Sequence, residues 1–493
     1  MRRILAGGIV FALGVLAFTQ TEPVDVRPPE FGAPPAEAIG ATGDPSAWYC
    51  PWVISGALRD SAFNLASMTD VNATITLPNA NPTEEPGVSE VRLRGPGARS
   101  IDAGEIIRRG TSPGVVEFDD GPAVATTAMW SEEIITGDRC VTSVPKEWHL
   151  VGGITAEGFT LELQLFNPFA ESAKVTVEAI TEFGRSPLAG FESFDVPGRS
   201  WVTTDLSRVI PFLDMATFTV TSETGIVIPA LVLNSEDDEA SWPGTGQSTV
   251  WDFPVTSLPG LEPTLVISNT GSVGATVAID IFTPEGPIPD ADGRILAPLE
   301  PLRIHLSDLA EPPFAVRVRS NAPIGAIIQA APEGTFPRTD VIEHEEDTAV
   351  EVATDDASAD EANTDEETTD TDEEEEAEVV VVYDGLAALP GNTDPLERWL
   401  VPGLGVVPGA QTSIWVLNPS GEEGTVTVSP LGVSAARSEK ILLPAGRYVE
   451  IPVPSLSESG NSGMLIDASL PVSVAVSIAG PQGVAFIGGV GVG

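Results

Sequence analysis

The thiols of this 493-residue chain are a single pair, Cys50 and Cys140. Neither a Cys-x-x-Cys spacing nor a neighbouring histidine accompanies them, so a zinc or redox site has no support. In an exported chain an even pair reads as a disulfide. Closing a loop of about 90 residues would stabilise the fold by on the order of 4 kcal/mol through the unfolded state. The three histidines are scattered: His149 follows Trp148, His305 sits on an alternating segment, and His344 lies inside an acidic run. A Gly-x-Ser-x-Gly elbow is missing, which removes the usual frame for a serine nucleophile. The stretch from Trp242 to Ser248 has the glycines of a phosphate loop without its lysine. Asp290-Ala291-Asp292-Gly293 begins like a calcium loop but lacks the third carboxylate and the distal glutamate; a hairpin turn at Asp292-Gly293 is the simpler use. Pairs such as Asp237-Asp238 and Glu132-Glu133 do not by themselves place an acid and a base across a sugar. No catalytic residue, cofactor or metal is expected. What remains is a set of aromatic residues, Trp48, Tyr49, Trp52, Trp148, Trp251 and Trp399. They serve either to stack on a sugar or protein partner or to fill the core between domains, as a tryptophan at a sandwich edge commonly does.

These aromatics open segments that repeat about every 100 residues. The segments Leu163 to Pro168, Leu265 to Thr270 and Ile414 to Pro419 are each an apolar strand running into an Asn-Pro or Asn-Thr turn. Each is followed by a period-two strand, at Ala173–Val177, Ala275–Ile279 and Gly424–Val428, the pattern of a half-buried strand. Pro and Gly then impose a turn around Pro197-Gly198, Pro301 and Pro444-Ala445-Gly446. Each copy closes with a valine-rich strand pair, and the first copy is the most divergent. With the acidic insert discounted, the Asn167, Asn269 and Asn418 intervals are nearly equal, which argues duplication.

About seven short strands per copy, with turn signals every 8 to 12 residues, predict an all-β chain of about four tandem immunoglobulin-like antiparallel β-sandwiches. Propeller blades of about 40 to 45 residues and solenoid coils of about 20 to 30 are shorter than this period. Strand exchange between neighbouring copies is a further arrangement that the spacing allows. The expected division is a signal segment at 1–20, a Pro/Gly/Ala-rich stalk at 21–46, and sandwiches at 47–145, 146–240, 241–338 and 381–493. An acidic insert occupies 339–380.

Met1-Arg2-Arg3 followed by the apolar run Ile4 to Phe18 reads as an export signal. The run is shorter than the roughly 20 residues that span a bilayer, yet no good cleavage site follows. A secreted product and a membrane-tethered one both stand, and either places the repeats outside the cytoplasm. A net charge of -48 excludes a nucleic-acid partner. Much of that charge lies between Glu343 and Glu378 without a Lys or Arg, as expected of a self-repelling spacer between the last two sandwiches. A calcium reservoir or a docking tail for a basic partner is the sharper alternative.

The export signal, the Pro-rich stalk, Trp48-Tyr49-Cys50-Pro51, the four β-rich copies and the Gly-rich end from Gly480 to Gly493 together resemble an uncharacterised actinobacterial family of exported, β-rich envelope proteins, a domain of unknown function. The resemblance covers most of the chain and implies an envelope location. It carries no reaction, ligand or functional residue. The expected function is that of a non-enzymatic extracytoplasmic scaffold or partner-binding protein, its partner an envelope protein or a cell-surface glycan. The alternative is a carbohydrate-binding or accessory subunit of a surface glycan pathway.

Overall fold

The recurring asparagine is buried, and its amide explains why the turn recurs. Asn167 donates through Nδ2 to the Glu171 carbonyl at 2.8 Å and the Val196 carbonyl at 3.1 Å, while its Oδ1 accepts from the Phe169 amide at 3.0 Å. Asn269 makes the same set with Val273, Ala297 and Gly271. Asn418 repeats it with Glu422, Pro444 and Ser420. One side chain thus ties the loop after the second strand to the turn before the fifth. In the first copy Ser67 takes the position and bonds to the carbonyls of Thr69 and Pro122. Buried backbone groups need partners, so a short amide or hydroxyl is required there.

The computed structural model describes residues 46–55, 59–79, 84–107, 110–236, 238–338, 381–432, 438–453 and 463–492, all in one compact unit. The signal segment, almost all of the stalk, the acidic insert and His344 lie outside the described residues. The chain is all-β, and the helical pieces are single turns such as Ala103–Ile106 and Leu206–Val209. Each copy has eight principal strands in two antiparallel sheets. In the second copy these are Glu147–Gly153, Phe159–Asn167, Ala173–Thr181, Gly184–Val196, Ser200–Asp205, Ala216–Thr224, Ile228–Ser235 and Asp238–Pro243. One sheet runs in the order first, sixth, third, fourth; the other runs eighth, seventh, second, fifth. The two enclose a common core, exemplified by Val175, Val177 and Phe218 against Leu161, Leu163 and Leu231. In the third and fourth copies the sixth and seventh strands are one continuous strand, Ala315–Pro332 and Gly463–Gly480, that passes from one sheet to the other.

Two expectations are corrected. The eighth strand of the third copy is Ala387–Pro390, paired with Ile327–Ala330, so the acidic insert interrupts that copy and the fourth begins at Leu396–Pro402. The insert is therefore not a spacer that holds the fourth copy away. The copies are also not strung in a line. The eighth strands Ile135–Arg139, Asp238–Pro243, Ala387–Pro390 and Gly483–Gly488 pack on one another in sequence, and the last packs on the first. Four double-layered blades close into a propeller-like ring. The period argument against a propeller assumed a blade of one sheet, whereas each blade here has two.

Ring closure accounts for the burial of the second and seventh strands. The third strand alternates, as in Val71–Leu77, because one face meets solvent. The second strand Leu261–Asn269 is buried at every residue, because its inner face meets its own blade and its outer face meets the first strand of the preceding blade. Three residues before the clamp position stand Asn64, Gln164, Val266 and Trp415. Gln164 donates to the Pro51 carbonyl of the preceding blade; Val266 and Trp415 enter the cores of the second and third blades. Asn64 meets Gly403 of the fourth blade, and the Gly432 amide donates to the Pro96 carbonyl at 3.0 Å across the same junction.

Gly403 has φ +77°, and a Cβ there would fall 2.4 Å from the Asn64 amide. Gly158 has φ +92° with nothing within 4 Å. Gly403→Val is expected to destabilise by several kcal/mol, and Gly158→Val by about 1–2 kcal/mol, since only the first adds a clash to backbone strain. Thermal unfolding of the two variants checks the difference.

Candidate functional site

The opening tryptophans face inward. Trp48, Trp52, Trp148, Trp251 and Trp399 are each at most 4% exposed. Trp251 and Trp399 donate to the carbonyls of Ile324 and Val472, at the point where the continuous strand changes sheets. Trp52 packs on Met129 and Val232 between the first two blades and donates to Glu239 at 3.4 Å. Buried rings offer no face to a sugar, so of the two uses expected for these tryptophans the geometry supports the core and the blade junctions. Cys50 and Cys140 form the disulfide, with Cα atoms 4.4 Å apart. It joins the first strand of the first blade to the residue after its eighth, next to the two 2.8 Å backbone bonds between Tyr49 and Val141. His149 is buried against Thr219 and Thr270 with Glu147 3.3 Å away. Burial pushes His149 down, and Glu147 opposes that shift. His305 lies between Glu262 and the Pro337 carbonyl. The two are in different blades. Among the described residues no group of three or more His, Cys, Asp or Glu is placed to hold a metal.

Tyr49 is the exception among the aromatics, half-buried at the mouth of a cleft of about 540 Å³ between the first and second blades. The first blade contributes Tyr49, the residues around Pro78 and Pro86, and Glu117 from its sixth strand; the second contributes Phe166, Phe169 and Arg199. The asparagine clamp builds the second wall. Asn167 Oδ1 holds the Phe169 amide, and the Phe169 carbonyl accepts from the Arg199 amide at 2.8 Å. The Tyr49 and Phe169 rings are 5.9 Å apart and inclined at 53°, a tilted pair in contact that forms an angled aromatic wall of the cleft. Burial, followed by the nearby Glu117 carboxylate, pushes the Tyr49 hydroxyl up, so it stays a neutral donor. The corresponding place between the third and fourth blades is filled: Arg447 donates to the Glu285 carbonyl at 2.8 Å and Tyr448 to the Pro313 carbonyl at 3.1 Å. Among the described residues, the first junction leaves that space open.

A second polar assembly lies where the eighth strands meet. Asp138 is buried on the first blade and accepts from Ser241 of the second, which is also 3.3 Å from Thr136. Glu239 is held by Arg59 at 2.7 Å. Arg139 approaches Asn392 at 3.4 Å, and Asn392 exchanges backbone bonds with Asp252. Asp252 is fully buried, paired through both oxygens with Arg317 and bonded by Ser473 of the fourth blade. These contacts tie the blades through charge-assisted bonds that are strong where water is excluded. None of these residues was singled out from sequence. Only their position on the eighth strands, or beside the residue after the opening tryptophan, marks them.

A model of a family of unknown function (DUF5719) matches residues 134–382, half of the chain. The match runs from the eighth strand of the first blade through seven strands of the third, and includes Phe169 and Arg199 of the cleft. No curated protein matches the sequence.

Desolvation raises Asp138 to about 7, with Ser241 opposing and Glu239 reinforcing the shift. A carboxyl raised above its unfolded value stabilises the fold while it is protonated, and that contribution is lost as pH rises from about 4 through about 7. Asp138→Asn keeps an acceptor for Ser241 and removes the charge. The variant is expected to melt above the wild type at pH 8, with the gap closing toward pH 5. Melting curves at the two pH values check this.

Proposed function

The chain belongs to that family of unknown function, and from this premise we propose that it is a non-enzymatic extracytoplasmic envelope protein that binds a partner on a rigid four-bladed ring. The observation that carries the reading is the cleft between the first two blades, where aromatic rings and exposed charges surround a space that direct contacts fill between the third and fourth blades. Ligand sites favour concave, mostly apolar places with a few polar groups, and domain junctions are a common location. The ring supplies what such a site needs, because a slot built from two blades keeps its width only if the blades cannot move apart. We also infer that each blade is an immunoglobulin-like sandwich. Its second and fifth strands share one sheet and its third and sixth the other, as B with E and C with F do in that fold. The first and seventh strands have exchanged sheets, and the fourth pairs with the third.

The extracytoplasmic location rests on the export signal expected from Arg2 to Phe18 and on the disulfide, which persists in oxidising compartments. A carbohydrate partner, the alternative from sequence, keeps Tyr49 as its one accessible aromatic among the six.

A photoreactive phenylalanine analogue at position 169 tests the reading in the native envelope, with position 295 of the third blade, where Ile295 is exposed, as the control. One reproducible adduct at 169 and none at 295 is the expected result. Equal labelling at both positions, or none at 169, contradicts a binding cleft.

A further inference from the structure

We propose that the cleft between the first two blades recognises an extended, proline-containing peptide segment that carries an arginine or lysine, supplied by another protein. The proposal rests on the binding reading above and names the chemistry of its ligand. Three features of the cleft converge on it.

The cleft's angled aromatic wall has the wrong form for a flat sugar face and a suitable one for a ridged chain. Tyr49 and Phe169 pack on each other as a tilted pair, 53° between their planes, and give the cleft an angled aromatic wall with Phe166 behind it. Polyproline II segments present pyrrolidine rings along a three-fold ridge and dock against aromatic-lined grooves. Because they are already extended, little conformational entropy is lost on binding. The Tyr49 hydroxyl, held neutral by burial and Glu117, can donate to a peptide carbonyl that has no internal hydrogen bond.

The rim has the charge for a cationic side chain. Glu84, Glu85 and Glu117 lie along the first-blade side, against the single Arg199 on the other. Glu85 and Glu117 are exposed, on a protein whose net charge of -48 attracts a basic partner from a distance. An anionic glycan would meet repulsion from both sources.

The third–fourth junction does not repeat the site. Between the third and fourth blades the turn before the fifth strand closes onto the preceding blade, with Gly446 against Pro287 and Arg447 bonded to the Glu285 carbonyl. Arg199 is the second-blade residue at the place of Gly446. It has φ +52°, and this backbone is fixed by its amide bond to Phe169. The turn therefore directs an arginine to the rim where the later junction has a glycine in contact.

The test uses the full chain with a fluorescently labelled synthetic peptide of proline pairs alternating with arginine, read by anisotropy at low and high salt. Saturable binding is expected. It should weaken at least tenfold in Glu85→Lys/Glu117→Lys, a change of exposed side chains, and should fall with added salt in the wild type. Phe169→Ala should weaken it at both salt concentrations. Unaltered melting temperatures and an intact disulfide establish that the variants fold. A peptide with glutamate for arginine should not bind. Absence of saturable binding, or binding indifferent to Glu117 and Phe169, overturns the proposal. If position 169 still cross-links in the envelope while the peptide fails, or a neutral oligosaccharide binds instead, the peptide class is wrong and the binding cleft stands. If neither cross-linking nor peptide binding occurs, both fail.

Discussion

A sheet that is buried on both faces needs a covering layer on each, and this constraint organises the molecule. In each blade the sheet of second, fifth, seventh and eighth strands covers the blade's own core on one side and meets the preceding blade on the other. In an open row of four, the first such sheet would be left exposed. Closure covers it with Leu400, Leu431, Leu465 and Val490 of the fourth blade, which share one apolar cluster with Ala66 and Val124 of the first. At roughly 25 cal/mol per Å² of apolar surface removed from water, a junction of this kind outweighs any single hydrogen bond in it. The disulfide reinforces the same blade by fastening its first strand to the end of its eighth.

Closure brings the eighth strands together, and a crowded axis carries consequences for the residues on it. Gly137 leaves room for Ile487, and Gly483 for the backbone of Ile135. Polar groups that meet there must find partners on other blades, as Asp138 does with Ser241 and Asp252 with Ser473. Burying a charge is unfavourable unless it is paired. Asp252 is paired with Arg317; Asp138 lacks so direct a cation and responds by holding its proton. The axis thus mixes a strongly paired charge with one that is sensitive to pH.

Much of the blade was legible in the sequence because its signals are local. Alternation at Ala173–Val177 and Gly424–Val428 marks strands with one wet face, and those strands are present. The buried Asn167, Asn269 and Asn418 mark a turn whose chemistry needs that amide. The disulfide followed from two cysteines. The ring was not legible, because closure depends on the outer face of the second strand, where Asn64, Gln164, Val266 and Trp415 share a role without sharing a chemistry. The placement of the acidic insert was missed for a related reason: Ala387–Pro390 is a short strand set far from its partner by the insert. The cleft was legible only through Tyr49. Phe169 and Arg199 lie in turns, and nothing local says that a neighbouring blade stands opposite them.

The most direct measurement is disulfide trapping across the closing junction. A Cβ placed on Gly463 of the fourth blade would lie 2.7 Å from the Cβ of Ala98 in the first, near enough for a cysteine pair to bridge with a small adjustment. In Ala98→Cys/Gly463→Cys, a closed ring predicts a bond within one chain that forms alongside Cys50–Cys140 and is identified by peptide mapping under non-reducing conditions. Free thiols at both positions, or bonds only between chains, would contradict closure and with it the rigid two-blade cleft.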